Sequence, residues 1–229
     1  EGEDWLSLGE AIPPEVSPTR WLGLGLLGAL GLAAIGFLCG WLIGLICAAI
    51  SEYGRGPIRW VVRAYVVFFL NTPILVQIFF LYFALPDFGI LLTSFQAVTI
   101  GLSLNAGAYL TEIQRAGFRS VRREEREAAI TLGFTRLQAI RYVIVPHIIK
   151  VLYPPLSNQY ILVTMTTSIA AIFGIEELTG RAYNINAITF RSLEIFSITA
   201  LYYVALTFFA STILYGIGRY LFRIKAKVF

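Results

Sequence analysis

Few residues in this chain could do covalent chemistry. Of its 229 residues two are cysteine, one is histidine and one is methionine, and only 14% carry a charge. Cys39 and Cys47 lie eight apart in one apolar stretch, which reads as two buried thiols and neither a disulfide framework nor a metal site. His147 stands alone after Pro146 and reads as structural. No Gly-x-x-x-x-Gly-Lys-Ser/Thr run is present, so the chain has no phosphate-cradling loop with which to hydrolyse ATP. The apolar stretches also lack paired carboxylates, histidine clusters and Ser-Lys dyads, which argues against an enzyme. The chain does not start with Met, so its true first residue is expected to be missing. Its opening acids, Glu1, Glu3 and Asp4, are the reverse of a basic signal-peptide start.

What is abundant is apolar surface. The hydrophobic share is 57%, against roughly 45–50% in an ordinary soluble domain. A membrane-crossing helix needs about 20 mostly apolar residues. Five segments qualify: 21–50, 60–85, 95–118, 151–175 and 195–221. The expected fold is therefore all-α and polytopic, with five transmembrane helices in residues 21–229 after an acidic segment, 1–20. The first span is rich in glycine three and four residues apart, a pattern that lets helices approach closely, although glycine is also simply tolerated in lipid. Fifteen of the 18 Lys and Arg residues fall in 55–63, 115–150 and 219–227, all on one side of a five-span topology. The positive-inside rule then places the N-terminus outside and the C-terminus in the cytoplasm. The net charge of +4 reports this topology and does not indicate a nucleic-acid partner. An odd number of spans argues against a self-contained pair of inverted repeats, so the chain is expected to need partners.

One stretch does not fit its oily surroundings: EREAAITLGFTRLQAIRYVIVP, residues 125–146. It lies within the expected cytoplasmic loop 119–150. Residues 122–132 should form a helix that Gly133 interrupts, and 135–145 a second helix ending before Pro146. Ala128 and Ala129 would give a small-residue surface suited to docking in another protein's groove. The bland alternative is an amphipathic helix lying on anionic lipid, which would gain nothing from Gly133 or Glu127.

These residues carry a resemblance. Glu127-Ala128-Ala129, then Gly133, then Val143-Ile144-Val145-Pro146 resemble the EAA loop of binding-protein-dependent ABC importer permeases. Asn71-Thr72-Pro73-Ile74-Leu75-Val76-Gln77, the run from Asn105 to Ile113 and the run from Ala182 to Ala187 resemble the polar amino-acid branch of that family. The resemblance implies a type I importer transmembrane domain in a bacterial inner membrane. It implies two ABC ATPase subunits, which bind ATP and Mg, a second permease subunit, identical or different, and an extracytoplasmic amino-acid-binding protein. No cofactor is implied in this chain. Glu127, Ala128, Ala129, Gly133 and Pro146 would form the coupling element in a cleft of the ATPase. A permease for another small solute, such as an opine, a sulfur compound or a small peptide, and a non-transporting membrane scaffold or sensor are the competing readings.

The polar residues of the spans suggest where a substrate would sit, because such groups are costly in lipid and point to function. Asn105, Tyr109 and Glu112 share one helical face, and Thr164, Thr167 and Ser168 share another. Thr72 precedes Pro73, which removes a backbone donor. Thr72, Asn105 and 164–168 all fall near the bilayer midplane, with Glu112 about 10 Å nearer the cytoplasm. Against this, hydroxyls in membrane helices often bond only the preceding carbonyl, and Asn105 and Gln77 could simply join helices. Glu112 would pair with a substrate ammonium or with Arg115 and Arg119. Leu70 and Met165 stand where some relatives carry an Arg and an Asp, which leans toward a neutral substrate.

Overall fold

The computed structural model describes residues 18–222. Most of the acidic segment 1–20 and the basic residues Arg223, Lys225 and Lys227 lie outside the described residues. The described residues are mainly helical, without strands: α1 (Pro18–Tyr53), α2 (Ile58–Leu70), α3 (Ile74–Phe79), α4 (Ser94–Arg119), α5 (Arg123–Thr131), α6 (Arg136–Ala139), α7 (Val145–Thr166), α8 (Leu178–Thr189) and α9 (Ser192–Phe222). All five expected spans fall on helix. Three helical stretches, Arg20–Tyr53, Arg136–Phe173 and Ser192–Leu221, are long and apolar enough to cross a membrane. The second expected span is not continuous. It is α2 and α3 with a break at 71–73, and would make a fourth crossing if the pair counts as one. The α4 helix has 26 residues, about 39 Å at 1.5 Å per residue, but its Ser103, Asn105 and Thr111 dilute its apolarity. The span count of five thus depends on α4 and the broken pair.

The described residues divide into two compact units, to both of which α1, α4, α7 and α9 contribute. The first comprises 18–36, 74–102 and 161–210. Leu22 and Ala29 of α1 pack with Leu178, Ala182 and Ile185 of α8 and Ile195 of α9. A second cluster gathers Leu32, Ile78, Val98, Leu102, Ala170 and Phe173. The close approach of α1 to the start of α8 requires Gly25, where a Cβ would stand 2.7 Å from the Leu178 Cα. Arg181 supports the same corner: it donates to the Trp21 carbonyl at 3.0 Å, and its guanidinium lies 4.2 Å from the centroid of the Trp21 ring.

Glu177, wholly buried in this unit, caps α8 by accepting from the Gly180 N–H at 3.0 Å and also accepts from the Tyr203 hydroxyl at 2.9 Å. Thr179 and Tyr203 share a further hydroxyl contact at 2.9 Å. Burial pushes the Glu177 carboxyl above its ordinary pKa, and the bonds it accepts pull the other way without cancelling the rise.

The second unit comprises 37–73, 103–160 and 211–222. Here α1 lies almost backbone to backbone on α4. A Cβ on Gly40 would meet the Ala106 Cβ at 2.9 Å and the Gly107 nitrogen at 3.0 Å. Four residues on, Gly44 stands in the same relation to Leu110 and Thr111. Gly31, by contrast, has nothing within 4 Å, so the glycine pattern of α1 is part packing and part tolerance. Tethers from side chain to backbone hold the unit: Tyr65 to the Leu104 carbonyl at 2.7 Å, Gln114 to Trp41 at 3.1 Å and Tyr153 to Leu214 at 2.6 Å. Arg119 joins the ends of α4 and α1 through Glu52 at 2.8 Å. The expectation of two buried thiols fails for Cys39, which is exposed, while Cys47 is half-buried; both are free.

Two outcomes are expected of the purified chain in detergent. Gly40→Leu forces α1 off α4 and should lower stability by about 1–3 kcal/mol, whereas Gly31→Leu should leave the melting temperature unchanged; equal effects would contradict this packing. Because the Glu177 pKa is raised, the folded chain keeps a proton that the unfolded chain releases. That contribution to stability is full below the ordinary carboxylate range and is lost as pH rises through the elevated value. Glu177→Gln should therefore flatten the fall of melting temperature above the ordinary carboxylate range, and parallel profiles for the two proteins would count against it.

Candidate functional site

The charged stretch forms two helices around a tight turn. Helix α5 carries Glu124 and Glu125 in its first turn, which suits the positive end of its dipole. It ends in a Schellman motif: the Phe134 N–H reaches the Ala129 carbonyl at 3.1 Å and the Gly133 N–H reaches Ile130 at 2.9 Å. Gly133 sits at φ +82°, a left-handed geometry that glycine alone adopts without cost. A capping box then starts α6, the Thr135 side chain accepting from the Gln138 N–H and the Gln138 side chain from the Thr135 N–H. Helix α5 touches both α6 and the π turn that follows it.

Two expectations for this stretch need correction. The second helix does not end before Pro146. It passes through a π turn, Ile140–Ile144, in which the Val145 N–H bonds back to Ile140, and continues as α7. The hydrogen-bond register slips one residue before Pro146, so the N–H that proline lacks interrupts nothing further. Nor do Ala128 and Ala129 form one surface. Ala129 is buried with Ala139, while Ala128 faces outward. The outward face also carries apolar side chains among its charged ones, with Leu132 77% and Leu137 75% exposed and Ile130 also exposed. Glu127 is exposed and pairs with Arg123 at 2.6 Å. Glu125 lies 3.7 Å from His147, linking α5 to the start of α7.

In the same unit, Thr72 and Asn105 come together at the carboxyl end of α2. A helix that stops strands its last carbonyls. Here Asn71 donates its amide to Val67 at 2.7 Å, Thr72 its hydroxyl to Phe68 at 2.9 Å, and Asn105 reaches across from α4 to Phe69 at 3.3 Å. Three successive carbonyls are thus met by three side chains. Tyr109, one turn along α4, is exposed. Glu112 bonds Arg115 on its own helix, the second of the two partners expected for it.

Thr164, Thr167 and Ser168 belong to the first unit, at the change from α7 to the 3-10 turn Thr167–Phe173. Thr164 and Thr167 are buried, and Ser168 is half-buried. The Thr167 hydroxyl donates to the Thr164 carbonyl at 2.7 Å and that of Ser168 to Met165 at 2.9 Å. Back-bonding of this kind is the bland role foreseen for them.

Glu177 escaped the sequence reading because it looks like one more polar residue after an apolar run. Arg59 and Arg63 were counted only toward topology, though their four-residue spacing puts them on one face of α2. Neither part of the site groups three or more His, Cys, Asp or Glu as a metal would need, among the described residues. The arrangement offers mechanical and binding groups.

Comparison with known proteins agrees with this architecture. A family model described as "binding-protein-dependent transport system inner membrane component" matches residues 40–223. The chain is 35% identical over 218 residues to the glutamine transport system permease protein GlnP of Escherichia coli, covering 94% of this chain and 96% of that protein. It is 37% identical over 185 residues to the L-cystine transport system permease protein TcyB of Bacillus subtilis, covering 80% and 79%. Among solved structures, it matches a chain of an amino acid ABC transporter determined with histidines at a TM-score of 0.81 and 33% identity, over 96% of this chain and all of that one. A chain of the MetNI methionine ABC transporter, at 0.65 and 17% identity over 88% and 99%, shares the fold.

Removing the cross-helix cap at the break of α2 gives a direct test. Asn105→Leu, similar in size but without a donor, removes the bond to the Phe69 carbonyl and should cost about 0.5–1.5 kcal/mol. Thermal unfolding in lipid nanodiscs should show a lowered midpoint, and an unchanged midpoint would mean that the carbonyl finds another donor.

Proposed function

The chain belongs to the binding-protein-dependent transport system inner membrane component family, and on that premise we propose that its cargo is a polar amino acid. It is a permease subunit of an ABC importer, membrane-embedded and not itself catalytic, with ATP hydrolysis in a separate subunit. Support for the cargo comes from similarity to permeases of glutamine and L-cystine transport systems. Leu70 and Met165 remove two side-chain charges that a charged amino acid could have used, so a neutral substrate is favoured. The rest of the assembly is proposed as two ATPase subunits holding ATP and Mg, a second permease copy or relative, and an extracytoplasmic binding protein. The N-terminus would lie outside and the C-terminus in the cytoplasm.

The observation that carries the mechanism is the exposed pair of helices around Gly133. Leu132, Leu137 and Ile130 present apolar side chains outward from a charged, capped element. Such a surface is costly unless a partner covers it. We assign Glu127, Ala128, Ala129 and Gly133 to an ATPase cleft, with Pro146 marking where the element joins α7. Ala129 lets α5 sit tightly on what lies beneath it, and the outer residues fill the cleft. Closure of the ATPases on ATP would push this element and, through α7, change the accessible side of the path. Thr72, Asn105, Tyr109 and Glu112, with Thr164, Thr167 and Ser168, are proposed to line that path. Thr72, Asn105, Thr167 and Ser168 would do so while holding backbone carbonyls in place, as broken helices in transporters do.

Gly133→Leu and Glu127→Lys test the lever. A leucine at φ +82° costs about 1–2 kcal/mol, too little to unfold the chain but enough to change the angle of the two helices. Both variants should reach the membrane in normal amounts and lose ATP-driven uptake of labelled amino acid in proteoliposomes with the ATPase. Normal uptake by both would remove the coupling role.

A further inference from the structure

The second unit contains a cavity of about 650 Å³ whose lining includes four arginines: Arg59 and Arg63 of α2, Arg115 and Arg119 of α4. Each pair is spaced four residues apart, so each helix turns a two-guanidinium face toward one space. The charges are unequally balanced. Arg115 is bonded to Glu112 and Arg119 to Glu52. Arg59 and Arg63 have no carboxylate within 4 Å among the described residues. Arg63 instead lies 5.9 Å from the Trp60 ring centroid. The cavity therefore has two neutralised ion pairs on one wall and two uncompensated guanidiniums on the other. Its lining also includes apolar groups, Val66 and Val67. Trp60, at its edge, is 70% exposed, and the neighbouring Val61 67%.

We propose that this cavity is a phosphate-anion site, seated by Arg59 and Arg63, and that its occupant is the headgroup of an anionic phospholipid. Guanidinium binds a phosphate oxygen pair through two parallel N–H bonds, a geometry that a lysine ammonium cannot reproduce. Basic pockets between membrane helices suit lipid headgroups on physical grounds, since the acyl chains stay in hydrocarbon while the phosphate reaches the charge. The exposed faces of Trp60 and Val61 provide apolar surface beside the charge for those chains, and an indole at this position fits the membrane interface. The bound lipid would steady the start of α2, the helix whose other end carries the break at 71–73. This inference uses the membrane placement of the family and rests on neither the amino-acid cargo nor the coupling role, although the cavity shares Glu112 with the proposed path.

The test uses the permease with its ATPase, reconstituted in nanodiscs of about one part phosphatidylglycerol to four of phosphatidylcholine, then released and examined for retained lipid by native mass spectrometry. Wild type should retain phosphatidylglycerol enriched on the order of tenfold over its share of the bilayer. Arg59→Gln with Arg63→Gln should abolish the enrichment, and Arg59→Lys with Arg63→Lys should keep only part of it. Adding inorganic phosphate at about ten times the lipid concentration should leave it unchanged. Displacement by phosphate would overturn the lipid as occupant, leaving a soluble anion. Equal enrichment in wild type and the double glutamine variant would overturn the site. Should the glutamine variant fail to assemble, Arg59→Lys with Arg63→Lys decides, since enrichment equal to wild type would overturn the bidentate guanidinium seat. Lipid retention is read without transport, so its failure is separable from any failure of the import function.

Discussion

A helix that stops inside hydrocarbon must find donors for its last carbonyls, because no water is there to supply them. Each one left unmet costs several kcal/mol, more than most packing contacts return. At the end of α2 the Val67 and Phe68 carbonyls share the Asn71 N–H, and the side chains of Asn71, Thr72 and Asn105 add one bond each to Val67, Phe68 and Phe69. Asn105 comes from another helix, so the break in α2 also fixes the seat of α4 against it. The close pairing of α1 with α4 through Gly40 and Gly44 rests on the same α4. Losing the break would therefore disturb more than a local turn.

The same constraint shapes the polar residues that would otherwise be read only as ligands. Thr167 and Ser168 bond carbonyls of their own turn where α7 changes to a 3-10 geometry. Glu112, the one carboxylate of α4, is answered by Arg115. In the exposed helix pair, backbone geometry again matters more than charge. The Arg123–Glu127 pair is exposed and worth about 0.3 kcal/mol, whereas the Schellman turn and capping box fix the direction of both helices. An element stiffened in this way can carry force from one protein to another.

Composition and hydrophobic period were enough to find every long helix, and the spacing from Glu127 through Gly133 was enough to place the exposed pair. What escaped were places where one residue's usual meaning is reversed by its neighbours. Pro146 normally ends a helix, but a π turn had already absorbed the slip. Ala128 and Ala129 look equivalent in a string, and helix rotation turns only one inward. Pro73 marked a lost donor inside 60–85, but the equal hydropathy on both sides of Asn71-Thr72-Pro73 concealed that the helix breaks there. Glu177 could not be told from an ordinary loop acid without seeing Tyr203 come to it from α9. Arg59 and Arg63 were legible as charge but not as a shared cavity wall, which depends on how α2 meets α4.

The most direct measurement of the transport role is to purify the tagged chain from its native membrane in mild detergent and identify its companions by mass spectrometry. An importer subunit should bring down an ABC ATPase in stoichiometric amount, either with this permease alone or with a second permease. A folded sample that carries no ATPase would contradict the import function and favour a membrane scaffold.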